Sequence, residues 1–162
     1  FVAALDGDVY DDLPKARMAL VLRLESLVRA PGVQLQDAVS LEHVLPQTPP
    51  DGSDWIKWFP DEDERDGWTH RLANLVPLDR NKNSSASNYD FAKKKDAYFR
   101  GKGTASPFVL TQEVRSESEW TPTLLTARQK RLVNVLSTHW NLEIAADNSL
   151  PAAAVTAGGL TS

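Results

Sequence analysis

Apolar residues near the start of the chain recur at helical spacing. Leu13, Ala16, Leu20, Leu24, Leu27 and Val28 share one face. Pro14 suits a first helical turn and Pro31-Gly32 stops the run, so the pattern predicts an amphipathic helix over 13–30 whose apolar face packs on a core. Docking of a partner on that face is the alternative reading. The period then changes. Val39, Leu41 and His43 alternate with Ser40, Glu42 and Val44, which predicts an extended segment. Pro46 cannot donate to a sheet ladder, so the strand should stop there. Leu72, Leu75, Val76 and Leu78 predict a second short strand. The polar run 79–88 follows as a turn and helix cap, with Ser87 or Asn88 capping a helix carried on by Phe91, Lys94, Lys95, Tyr98 and Phe99.

Between the strands, Trp55, Trp58 and Phe59 predict a short helix capped by Ser53 or Asp54. Asp61-Glu62-Asp63-Glu64 opens another, where acids suit the N-terminal dipole and Trp68 lies on the buried side. The Trp cluster could stack on bases, but core packing is the plainer reading. After the flexible 101–106 link, 107–114 is apolar, helical or extended. Leu125, Leu132, Val135, Leu136 and Trp140 predict a further helix capped by Thr123 or Thr126. Arg128, Lys130 and Arg131 give it a small basic face, open to DNA or to water. The predicted fold is α+β and mostly helical. Strand, loop, strand, loop, helix gives a small two-stranded ββα core at about 37–100, flanked by helices at about 13–30 and 123–140. A single domain at 1–145 precedes a low-complexity tail at 146–162.

Composition narrows the chemistry. The chain has 162 residues and no Cys, which excludes disulfides and Cys-based structural zinc and agrees with a reducing cytoplasm. No apolar run is long enough to span a bilayer and no signal-peptide pattern is present. Beginning at Phe1 without Met, the chain is expected to be cut from a longer protein. The formal net charge of −4 hides a division. Seven acids and two bases lie in 51–66, whereas eight bases and three acids lie in 71–102. A local basic patch on an acidic chain suits a phosphodiester backbone, with targeting supplied elsewhere. Nothing resembles a Walker loop, a Rossmann fingerprint or a Ser or Cys nucleophile constellation.

The candidate chemistry lies in the two strand regions. His43 falls at a strand end, where function concentrates, and can take a proton from water. Glu42 beside it can bind a hard cation through oxygen. An isolated Glu-His pair is more often a surface acid and a satisfied His. Here Asn74, Asn81 and Asn83 follow within about forty residues, and the ββα order could bring them with His43 onto one metal. His70 and His139 read as structural, although His70 could contact phosphate or assist the site.

Three stretches carry a resemblance: Glu42-His43-Val44-Leu45-Pro46-Gln47, then Leu72-Ala73-Asn74-Leu75-Val76-Pro77-Leu78, then Asn81-Lys82-Asn83-Ser84-Ser85-Ala86-Ser87-Asn88 with Phe91-Ala92-Lys93-Lys94. Taken together they resemble an HNH (His-Me finger) nuclease, and more narrowly the C-terminal nuclease domain of GmrSD-like modification-dependent restriction endonucleases. The order is also similar to the HNH domain of RNA-guided CRISPR nucleases.

The resemblance implies a metal-dependent DNA endonuclease of a bacterial, cytoplasmic anti-phage system. It uses Mg²⁺, with Mn²⁺ as a substitute. His43 matches the general base, Asn74 the middle Asn that holds the loop and orients the His, and Asn83 the helix-proximal metal ligand. Glu42 matches the acidic metal ligand, where the CRISPR version carries Asp, and Asn81 stands where a second acid can occur. Lys94 matches a helix lysine expected at the DNA phosphates, with Lys93, Arg80 and Lys82 as neighbouring phosphate contacts. DNA is the implied partner, with an NTP-binding sensor domain upstream in the parent chain. The alternative is an HNH-like DNA-binding or interaction module without activity.

Overall fold

Val39–His43 (β1) and Leu75–Asp79 (β2) pair antiparallel, with Val39 opposite Asp79 and His43 opposite Leu75. They form a two-stranded sheet. Pro77 sits opposite Leu41; a proline is tolerated because each strand of such a pair is an edge. The computed structural model describes residues 1–30, 39–79, 88–100 and 106–142, with Phe99 and Arg100 described by backbone alone. The predicted loop residues Arg80, Asn81, Lys82 and Asn83, the cap candidate Ser87 and the 146–162 tail lie outside the described residues.

Around the sheet, in chain order, stand α1 (Val2–Leu5), α2 (Val9–Asp12), α3 (Arg17–Val28), α4 (Asp54–Trp58), α5 (Glu62–Thr69), a 3₁₀ turn at Leu72–Asn74, α6 (Phe91–Arg100), α7 (Val109–Ser116) and α8 (Pro122–His139). The fold is α+β and mostly helical, as the hydrophobic pattern predicted. The helices α3 and α7 pack on β2, and α8 packs on the 3₁₀ turn that leads into it. No described helix is long and apolar enough to cross a membrane.

The core joins Leu20 and Leu24 of α3, Val44 and Leu45 after β1, Val76 and Leu78 of β2, and Leu125, Leu132 and Leu136 of α8. Removal of such apolar surface from water contributes ~25 cal/mol per Å². The Trp cluster belongs to this interior. Trp55 is fully buried, and its ring meets Trp58 and Phe91 edge-on at 5.6 and 5.5 Å. Core packing, not a base-stacking platform, is its role here.

Element boundaries differ from the sequence pattern where polar contacts decide. The first long helix begins at Arg17, not at 13. Asp8 caps α2 by accepting from Asp11 N, and Arg17 turns back to donate to Tyr10 O at 2.7 Å, with its guanidinium 3.7 Å above the Tyr10 ring. Pro14 therefore lies in the corner between α2 and α3. The last helix starts one turn early, at Pro122. Thr121 is its N-cap, with its hydroxyl accepting from Leu124 N, in place of Thr123 or Thr126. The ambiguous 107–114 segment contains the start of helix α7, whose first amides are bound from a distance. The buried Glu25 carboxylate of α3 accepts from Val109 N at 2.8 Å and Leu110 N at 3.0 Å.

Candidate active site

The chain leaving β1 is tied to the 3₁₀ turn by one side chain. Asn74 is wholly buried. Its Oδ1 accepts from Leu45 N at 2.7 Å and Trp120 Nε1 at 3.1 Å, while its Nδ2 donates to Leu45 O at 2.9 Å and Thr69 O at 2.8 Å. The backbone adds Val44 N to Asn74 O at 3.0 Å. Helix α8 fixes the turn from behind. Ala73 N donates to Gln129 Oε1 at 2.8 Å, and Arg128 Nε donates to Ala73 O at 3.0 Å. The resemblance assigned Asn74 to hold the loop and orient the His. Its four side-chain bonds hold the loop, and they go to Leu45, Thr69 and Trp120 rather than to the His43 ring. Arg128 is buried and also paired with Glu113, so it forms no part of a DNA-facing surface.

His43 ends β1 with its side chain buried against two other segments. Nε2 lies 3.1 Å from Nδ1 of His70, and Nδ1 lies 3.3 Å from Nε2 of Gln47. The Tyr10 ring closes on it edge-first, with centroids 4.4 Å apart. Burial, then the His70 ring, Lys94 and Arg17, lower the His43 pKa from 6.5 to about 3. The imidazole is therefore neutral at physiological pH and able to accept a proton. It is a weaker base than the strand-end position suggested, because the strand end is packed against α2 and the segment after α5.

Beneath the ring sits a buried ion pair. Lys94 of α6 donates from Nζ to Glu42 Oε1 at 2.7 Å and to His43 O at 2.6 Å, and Tyr98 donates its hydroxyl to the same Oε1 at 3.0 Å. Burial raises the Glu42 pKa, against the pull of Lys94 and Tyr98, and burial lowers that of Lys94, against the pull of Glu42. The two partners oppose the desolvation of each other, and the short charge-assisted bonds satisfy both. Lys94 was expected at the DNA backbone. It is 1% exposed, and its ammonium clamps Glu42 and the His43 carbonyl, because a helix residue facing the sheet is directed inward. Lys93, one residue earlier, is exposed and lies 3.5 Å over the half-exposed Tyr89 ring, on the solvent side where a phosphate can reach it.

Glu42, His43, Pro46, Gln47, Thr48, Asn88 and Lys94 line a cleft of about 250 Å³. The predicted His43 and Glu42 thus meet in one concavity, and Asn74 braces it from the interior. Gln47, Asn88, Tyr10 and Tyr98 were not assigned to the site from sequence, and His70 was read as structural, with assistance to the site as the alternative. Gln47 stood within the quoted motif, and Asn88 was read only as a cap. For Tyr10 and Tyr98 no local signal exists, since their partners are 33 and 56 residues away. The lining offers the Glu42 carboxylate and the side-chain amides of Gln47 and Asn88, and no sulfur, a hard-oxygen donor set that suits Mg²⁺ or Mn²⁺. The Lys94 ammonium is bonded to the Glu42 carboxylate in the same cleft.

The family model of GmrSD restriction endonucleases, C-terminal domain, matches residues 4–135, which include every element from α2 to α7 and most of α8. No curated protein matches the chain.

Proposed function

The chain belongs to the family of GmrSD restriction endonuclease C-terminal domains, and from that premise we propose that it is a metal-dependent DNA endonuclease of the HNH type, with His43 as general base. The observation that carries the reading is the neutral His43 ring at the rim of a cleft beside a buried carboxylate. In this reading His43 takes a proton from a water as the water oxygen bonds to phosphorus and the bond to the 3′ oxygen breaks. Glu42, with Asn83 and Asn81 from the segment that follows β2 in the sequence, would hold Mg²⁺ or Mn²⁺. Such an ion supplies charge stabilisation at the phosphate and the leaving oxygen when bound. Asn74 keeps the loop in place, and Lys93, Arg80 and Lys82 contact the phosphate backbone. The domain works in a bacterial anti-phage restriction system, downstream of an NTP-binding sensor domain that selects the DNA.

A plasmid assay tests this. Supercoiled DNA with Mg²⁺ is expected to be nicked by the wild-type chain, and His43→Ala should lose ~10²–10⁴ of the rate while its circular dichroism is unchanged. A folded, fully active His43→Ala chain refutes the assignment. One observation favours a second reading, an inactive HNH-like DNA-binding module: the Glu42 carboxylate is already bound by Lys94. DNA retention without nicking at any Mg²⁺ or Mn²⁺ concentration would select it.

A further inference from the structure

We propose that His70, with Asp11 behind it, is a positioning residue that holds His43 in the tautomer protonated on Nε2, so that Nδ1, beside the exposed Gln47 at the cleft, is the proton-accepting nitrogen. This rests on the reading of His43 as the base. The hydrogen positions follow from one donor. The Gln47 amide nitrogen can only donate, and it lies 3.3 Å from His43 Nδ1, so that nitrogen is the acceptor. The ring proton is then on Nε2, which faces His70 Nδ1 at 3.1 Å and donates to it. The His70 proton is in turn on its Nε2, where the Asp11 carboxylate stands 3.7 Å away. Gln47, His43 and His70 thus each have a single role as donor or acceptor, with the Asp11 carboxylate beyond hydrogen-bond distance behind His70. The reverse tautomer would set a proton of His43 against those of the Gln47 amide.

The surroundings keep the chain in line. Tyr10 donates its backbone N–H to His70 O at 3.1 Å, stacks on the His70 ring with an interplanar angle of 22°, and abuts His43 edge-on. The N-cap bond from Asp11 N to Asp8 Oδ1 at 2.9 Å fixes the turn that carries the Asp11 carboxylate. Partners that orient a metal-bound imidazole are typically worth ~10–10²-fold in affinity or activity, and an effect of that order is expected of His70 on His43.

Long-range ¹H–¹⁵N correlation spectra of the metal-free chain at pH 8 read the tautomer without any cleavage. The wild type should show His43 protonated on Nε2, and His70→Ala should show a mixture. His70→Gln, whose side-chain carbonyl can accept from Nε2–H, should restore the wild-type pattern. In plasmid nicking, His70→Ala should lower kcat ~10–10²-fold with KM little changed, His70→Gln should recover most of it, and Asp11→Asn should cost less than His70→Ala. If His70→Ala fails to fold, the wild-type spectrum and the other two variants carry the test. A wild-type His43 protonated on Nδ1, or a tautomer unmoved in every variant, overturns the proposal. The predicted spectra together with an absence of nicking by the wild type would instead overturn the nuclease reading and leave the tautomer standing.

Discussion

Asn74 and His43 lie on opposite chains at the end of one strand pair, and they are held in opposite ways. All four Asn74 bonds run to backbone groups or to an indole, deep in the interior. Among the described residues, the His43 ring bonds only to side chains, one of them the exposed Gln47. A fixed network of that first kind specifies a loop; an adjustable one at a cleft leaves a nitrogen for chemistry. The contrast separates scaffold from reactive group within one motif.

The sharpest break of the comparison is Asn74→Ala. It strips partners from Leu45 N–H, Leu45 O, Thr69 O and Trp120 Nε1–H at once. At ~1–3 kcal/mol for each buried group left unpaired, the loss is on the order of 5 kcal/mol. That approaches the whole stability of an ordinary domain, ~5–15 kcal/mol. Urea unfolding should show it, and with it a loss of nicking through unfolding. His43→Ala should stay within ~1–2 kcal/mol of the wild type, having lost activity through chemistry. Equal stability losses in the two variants would erase the distinction.

How far the sequence foretold this can be traced residue by residue. The strand at 39–43 was legible because alternation and Pro46 are local signals, and β2 followed from its apolar run. The Glu42-His43 pairing with a cleft was legible through the motif. What stayed hidden depends on partners far along the chain. Nothing near Lys94 says that its ammonium lies under His43, since a Lys-rich helix reads as a solvated face until the sheet is packed against it. Glu25 could not be seen as the cap of α7, which begins 84 residues later. His70 looked structural because its partners, His43 and Asp11, come from two other segments.

A smaller effect sharpens the same comparison through pH. His43 is held neutral in the folded chain, with a pKa of about 3 against 6.5 unfolded. As pH falls below 6.5 the unfolded chain takes up a proton that the folded ring refuses. The His43 contribution to stability is therefore fully present above 6.5 and drains away as pH drops toward 3. Between pH 7.5 and 5 the loss is ~2 kcal/mol. Urea titrations in EDTA at the two pH values should show His43→Gln losing ~2 kcal/mol less than the wild type over that interval. Parallel losses would mean that the ring is protonated in the fold.

The smallest change concerns two adjacent lysines that were both expected at the DNA backbone. Lys94 spends its ammonium on Glu42 and the His43 carbonyl, whereas Lys93 on the outer face of α6 lies over Tyr89. Only the second can release counterions when a phosphate arrives. Lys93→Ala should leave unfolding unchanged within ~0.5 kcal/mol, as surface substitutions do. It should weaken binding to any DNA sequence alike and lower the slope of log K against log salt by ~1. Fluorescence anisotropy over a salt series measures that slope. An unaltered slope would place the DNA path away from the exposed face of α6, on the other side of the His43 cleft.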